Sequence, residues 1–172
     1  MPLSKIQDIE NQVIPDLGRR NIVINGGMQV AQRGTSSTST GYCSLDRYPI
    51  YPNNMDELAY TWAQDSTVPT GEGFSKSAKL TVTTAESALA ADEIWRVLHR
   101  IEGQNMQQAS WGTSGAKPLT LSFYVRSNVT GTYAVEFRMN AGGNNSLSKN
   151  YTINSADTWE RKTITFPKNT ST

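Results

Sequence analysis

The chain is short of the residues that carry most protein chemistry. Of 172 residues one is cysteine, Cys43, and one is histidine, His99. A single cysteine excludes an intramolecular disulfide, and a single histidine excludes the common zinc ligand sets. Excess charge of either sign is also missing: 16 basic residues stand against 15 acidic ones, a net charge of +1. That balance provides no electrostatic footprint for nucleic acid or an anionic membrane. Long apolar runs are absent too. Ile22–Ile24 is three residues long and Ala88–Ala91 four, where a bilayer span needs about 20. The opening stretch carries Lys5, Gln7 and Asp8 where a secretory signal would be apolar. The expectation is a chain without disulfides, nucleic-acid binding or membrane insertion.

What fills the sequence instead is neutral polarity. Ser, Thr, Asn and Gln together make 57 of the 172 residues, and the apolar share is 37%, below the usual ~45–50%. The length suits one domain that buries a core without metal or disulfide staples. Residues 1–20 differ from the rest. Ser4 and Gln7 fit a capping box, and Leu3, Ile6, Ile9 and Val13 recur at helical spacing up to Pro15. A helix of about 10 residues is marginal in water, so this short helix or extended arm is expected to need a partner. Its contacts would centre on Ile6, Ile9 and Val13.

From Asn21 the pattern is that of strands and turns. Ile22–Ile24 is followed by Asn25-Gly26-Gly27, a turn signal. Residues 34–41 form a low-complexity polar loop. Leu119, Leu121, Phe123 and Val125 alternate with polar residues, as do Tyr133, Val135, Phe137 and Met139. With Gly131 between them, the two runs predict a β-hairpin whose buried face includes Leu121, Phe123, Val135 and Phe137. Tyr151–Ile153 and Arg161–Phe166 continue the series, Ile164 and Phe166 sharing a face. Residues 94–101 fit two periods. Ile94, Val97, Leu98 and Ile101 satisfy the helical spacing, which the Ala-rich stretch before them favours, while Trp95, Val97, His99 and Ile101 satisfy the alternation of a strand. No internal repeat is visible.

Several stretches in fixed order resemble a module of bacteriophage virion appendages, marine ones especially. They are Gly18–Thr35, Val68–Phe74, Arg100–Asn105 with Trp111–Thr113, Lys117–Ser127 with Thr130–Tyr133, and Asn154–Pro167. The resemblance runs from about residue 18 to the end. It implies a mostly β fold, an antiparallel β-sandwich of the jelly-roll, carbohydrate-binding-module-like type, spanning 21–172. Residues 1–17 lie outside the resemblance, and the segment 1–20 is expected to serve attachment or oligomerisation, since leaders at that end of phage fibres often attach to the particle. The resemblance further implies that 96–102 is a strand, with Val97 and His99 on one face and Leu98 and Arg100 on the other. Family members continue with further strands after the equivalent of Phe166-Pro167, so the sandwich is expected to be incomplete at its C-terminal end. The implied setting is a virion, in a tail fibre or similar appendage. The implied partners are sister chains in a homotrimer and another virion protein.

The sequence carries no catalytic constellation. His99 lies beside Arg100 with no Gly-x-Ser-x-Gly in the sequence, and Cys43 has no adjacent cation to lower its pKa. The acidic pairs Asp56-Glu57 and Asp92-Glu93 fall in loops without an Asp-x-Asp-x-Asp pattern. Neither Asn25-Gly-Gly27 nor Ala141–Asn145 carries a phosphate-loop signature. No enzyme, cofactor or metal is therefore expected. The second function considered is an adhesin module recognising host polysaccharide, because sugars stack on aromatic faces and hydrogen-bond to amides and carboxylates. Its candidate residues are Trp62, Trp95, Trp111 and Tyr124, with Glu102, Gln104 and Asn105 as polar groups. The competing role for each large aromatic is the core of a sandwich.

Overall fold

The computed structural model of the chain describes residues 21–139 and 145–170. The expectations for the leader, including Ile6, Ile9 and Val13, and for the Ala141-Gly-Gly turn fall outside these residues. The fold is mostly β and antiparallel throughout, with sandwich layering. In chain order the elements are β1 (Ser36–Ser37), β2 (Ile50–Asn53), β3 (Ala59–Asp65), β4 (Ser77–Thr84) and β5 (Ile94–Val97). A single-turn helix α1 (Gly103–Met106) and a 3-10 turn (Gln107–Ala109) follow. The second half holds β6 (Leu119–Val125), β7 (Gly131–Met139), β8 (Asn145–Ile153) and β9 (Glu160–Phe166).

The same nested pairing occurs twice. In the first half β2 pairs with β5 around the inner pair β3–β4, with β1 added to the free edge of β3. In the second half β6 pairs with β9 around the inner pair β7–β8. Outer and inner pairs then face each other as two layers. Phe123 on β6 meets Tyr151 on β8 at 5.1 Å between ring centroids, and Phe137 on β7 meets Phe166 on β9 at 5.9 Å. Nested antiparallel pairs facing each other in two layers are consistent with a β-sandwich.

The first half holds a clustered core. Leu45, Ile50, Tyr60 and Trp62 are buried together, with Leu80, Trp95 and Val97 packed around them. In the second half Ile153, Ile164 and Phe166 are buried, the first and last almost fully enclosed at 1% exposure, with Phe137 against Phe166. Burying side chains of this size contributes about 1.5–3 kcal/mol each. Tyr124 joins the halves: its ring meets Phe74 edge-on at 5.7 Å, and its hydroxyl donates to Glu72.

The alternation read in the sequence holds, but its pairing does not. Leu121, Phe123, Val135 and Phe137 point inward while Ser122 and Glu136 are exposed. The four inward residues are half-buried rather than enclosed. The predicted β6–β7 hairpin is not formed: β6 bonds to β9 along its whole length, Leu119 opposite Phe166 and Val125 opposite Glu160. The connector at 126–130 explains why. Arg126 Nε donates to the Asp157 carbonyl at 2.8 Å, and the Asp157 amide donates to the Ser127 carbonyl at 2.8 Å. These bonds pin the link to the β8–β9 connector, so the chain crosses layers before β7 begins. Tyr133 Oη then donates to the Val129 carbonyl at 2.9 Å and fixes the corner.

Three smaller expectations change as well. Ile22–Ile24 forms no strand, because its amides bond elsewhere: Val23 to Asn21 Oδ1 at 3.0 Å and Ile24 to His99 Nε2 at 3.3 Å. The polar loop at 34–41 contributes β1, Ser37 lying opposite Trp62. The strand implied for 96–102 starts two residues earlier and its ladder stops at Val97, with Leu98 donating once more to the Pro49 carbonyl at 3.0 Å. Continuous helix is absent over 94–101. The Asn25 turn forms as expected, and the positive φ angles fall on Asn25 (58°) and Met28 (54°) rather than on the glycines.

Candidate functional site

The aromatic residues expected to share a groove are divided between different environments. Trp62, on β3, is 5% exposed in the first core, and Trp95, on β5, packs against that core. Trp111 sits in the turn after the 3-10 segment, as its Trp-Gly-Thr context suggested. Its ring is nevertheless turned inward, 4.4 Å from Phe137, and Nε1 donates to the Lys117 carbonyl at 2.7 Å. Tyr124 belongs to the junction with Phe74 and Glu72. The structure brings Trp62 and Trp95 together as core, and joins neither to Trp111 or Tyr124.

The polar candidates are partly united. Glu102 Oε1 receives Arg47 Nη2 at 2.6 Å, and Glu102 Oε2 receives Asn105 Nδ2 at 3.1 Å. Arg47 holds the Glu102 carboxyl below its ordinary pKa. Gln104 is exposed on α1. This group is an ion pair that braces the turn after β5, since the same Arg47 Nη2 also donates to the Arg100 carbonyl at 3.1 Å.

His99 packs at 4.9 Å from the Tyr48 ring, and its Nε2 accepts the Ile24 amide. Burial, then the Arg47 charge, pushes its pKa down. The neutral imidazole serves as an acceptor that anchors the incoming chain. Cys43 is half-buried beside the first core. Among the described residues, Asp56, Glu86 and Glu93 bring carboxylate oxygens within 4.8 Å of one another. These are the described groups a hard cation would use. A proton relieves the same repulsion: burial first, then Glu93, Asp56 and Glu57, holds the Glu86 carboxyl above its usual range.

Sequence reasoning missed a different surface. Tyr51 on β2 lies directly opposite Arg96 on β5, and Arg100 follows three residues after the end of β5. The Arg100 guanidinium lies 5.5 Å from the Tyr51 ring centroid and 5.7 Å from that of Tyr42, and Nη1 donates to Tyr42 Oη at 3.1 Å. Hydrogen bonds to Tyr42 and then Tyr51 raise its pKa further, so it is always charged. Tyr42 is 40% exposed, and Arg33 approaches its ring at 6.0 Å. The Gly41–Ile50 bridge, with amide bonds of 2.7 and 3.1 Å, brings the two tyrosine segments together. No local pattern signalled it, because Tyr42 and Arg100 are 58 positions apart and Arg100 lies beyond the end of β5.

No family model, curated protein or solved structure matches the chain.

Proposed function

We propose that the chain is a non-enzymatic structural module of a bacteriophage virion, in a tail fibre or similar appendage, attached through residues 1–20 and presenting its sandwich outward. One observation carries the reading. The two longest stretches of the resemblance beyond residue 100, Lys117–Ser127 and Asn154–Pro167, contain β6 and β9, which pair along their full length. Stretches that resemble one module in sequence thus also meet in space. The Trp111–Thr113 stretch adds to them, because the Gly112 amide donates to the Asn169 carbonyl just after β9 at 3.0 Å. The sandwich serves as a spacer and display surface, with subunit contacts made by the leader and by open strand edges.

The test is deletion of residues 1–17. The truncated chain should melt at nearly the temperature of the intact one and fail to enter particles. Retained incorporation would remove the attachment role from the leader. The second reading, recognition of host polysaccharide, loses the shared groove of Trp62, Trp95, Trp111 and Tyr124. It is favoured instead by the Tyr42–Arg100–Tyr51 face, where Tyr42 and Arg100 are exposed and Tyr51 is half-buried.

A further inference from the structure

The face around Arg100 combines three properties that the rest of the described surface does not set out to explain. First, among the described residues the guanidinium has no carboxylate partner: its contacts there are the two phenols. Arg47, by contrast, is taken up by Glu102 at 2.6 Å, and Arg33 by Asp46 at 3.4 Å. Second, the Tyr42 oxygen accepts from Arg100, which leaves its own proton free to donate to a ligand, as a phenol both accepts and donates. Third, the segment leading into Tyr42 is hydroxyl-rich and exposed at Thr38, Ser39 and Thr40. It is held in place by the Tyr60 hydroxyl on the Ser39 carbonyl at 3.4 Å.

We infer that this face binds the acidic group of a charged polysaccharide, a uronate carboxylate or a sulfate ester, with Arg100 as the anion acceptor and Tyr42 and Tyr51 as its flanking donors. The planar guanidinium suits a two-oxygen anion. The tyrosine edges and the Ser/Thr segment suit the hydroxyls and C–H surfaces of a sugar ring next to it. A nucleic acid fits poorly, because its affinity depends on many phosphate contacts and the net charge is +1. The inference rests on the polysaccharide reading of function and names its ligand class and site; it is independent of where the protein sits in a particle.

Affinity electrophoresis of the full-length chain tests it, in gels containing alginate, dextran sulfate or neutral dextran. Retardation is expected in alginate if a carboxylate is read, in dextran sulfate if a sulfate is read, and not in dextran. Arg100→Gln should weaken the effective polymer by about tenfold, the worth of one charge-assisted pair. Arg100→Lys, which keeps the charge and loses the planar fork, should fall between. A Tyr42→Phe, Tyr51→Phe double variant should weaken retention with the charge intact. Lys149→Gln, an exposed cation on β8, is the control and should change nothing. Unchanged melting temperatures show that the variants fold. If Lys149→Gln and Arg100→Gln weaken retention equally, the binding is diffuse and the site is wrong. Retention in neutral dextran that ignores Arg100 would overturn the acidic ligand and keep the sugar reading. No retention in any gel would overturn both.

Discussion

At the scale of single residues, several polar side chains act by closing turns. Glu160 is the strongest case. Its carboxylate accepts the Asn154 and Ser155 amides at 2.8 and 2.9 Å, the Asn154 Nδ2 at 2.9 Å and the Lys162 ammonium at 2.5 Å. The lysine first, then the Ser155 amide, pulls its pKa down to about 2 from 4.5. A folded pKa below the unfolded one means that the unfolded chain binds more protons between the two values. The stabilisation is complete above pH 4.5 and is lost as pH falls through 2. Glu160→Gln should therefore lower the melting temperature at pH 7 and flatten its decline below pH 4.5. An unchanged acid limb would show that Glu160 is not the group being titrated. Glu160 was not legible in the sequence, and Asn25 was legible as a turn residue but not as the anchor whose side chain bonds Val30 and the Asp46 carbonyl. Isolated acids and amides are common on surfaces, and only the returning backbone turns them into anchors. Hydrophobic burial was easier to foresee: Ile164 and Phe166 were placed on one inward face, and they are buried at 9% and 1% exposure.

At the scale of elements, alternation shows which face of a strand is apolar and leaves its hydrogen-bonding neighbour open. Leu121, Phe123, Val135 and Phe137 fit equally well as one face of a hairpin or as two facing layers. The connector decided between them. Its Arg126–Asp157 contact is a long-range event that no local turn signal encodes. The Tyr42–Arg100 site was concealed in the same way, through a bridge between Gly41 and Ile50. Gly131, where the crossing chain enters β7, has φ of 140°, and a Cβ built there would meet nothing within 4 Å. Its requirement is conformational rather than steric. Gly131→Ala should cost about 1–2 kcal/mol, a melting-temperature loss of roughly 2–8 °C. Gly103→Ala, equally free of neighbours and without a positive φ, is the control and should cause no loss. Equal behaviour of the two variants would remove backbone strain as the reason for glycine at the crossing.

At the scale of the whole molecule, the nesting repeats, and the buried residues of the two halves fall in separate ribbons. The β2–β5 ribbon closes over the cluster of Leu45, Ile50, Tyr60 and Trp62, and the buried side chains of the β6–β9 ribbon are Ile153, Ile164 and Phe166. Nothing in the sequence pattern announced this duplication, because nested pairing repeats a topology without repeating residues. The Tyr124 junction with Phe74 and Glu72 lies on the outer side of β6, away from both sets of buried residues, and so couples them weakly. Cooperative units of this kind open separately. Leu45→Ala should cost about 2–5 kcal/mol and Phe166→Ala about 3–5 kcal/mol, each within its own half. Hydrogen exchange should then show lost protection over β2 to β5 for Leu45→Ala, with β6 to β9 unchanged, and the reverse for Phe166→Ala. Loss of protection in both halves from either substitution would mean that the Tyr124 junction carries enough energy to make the chain one unit. In that event Tyr124→Ala, which removes the ring contact while leaving the buried residues of both halves intact, should restore independent exchange.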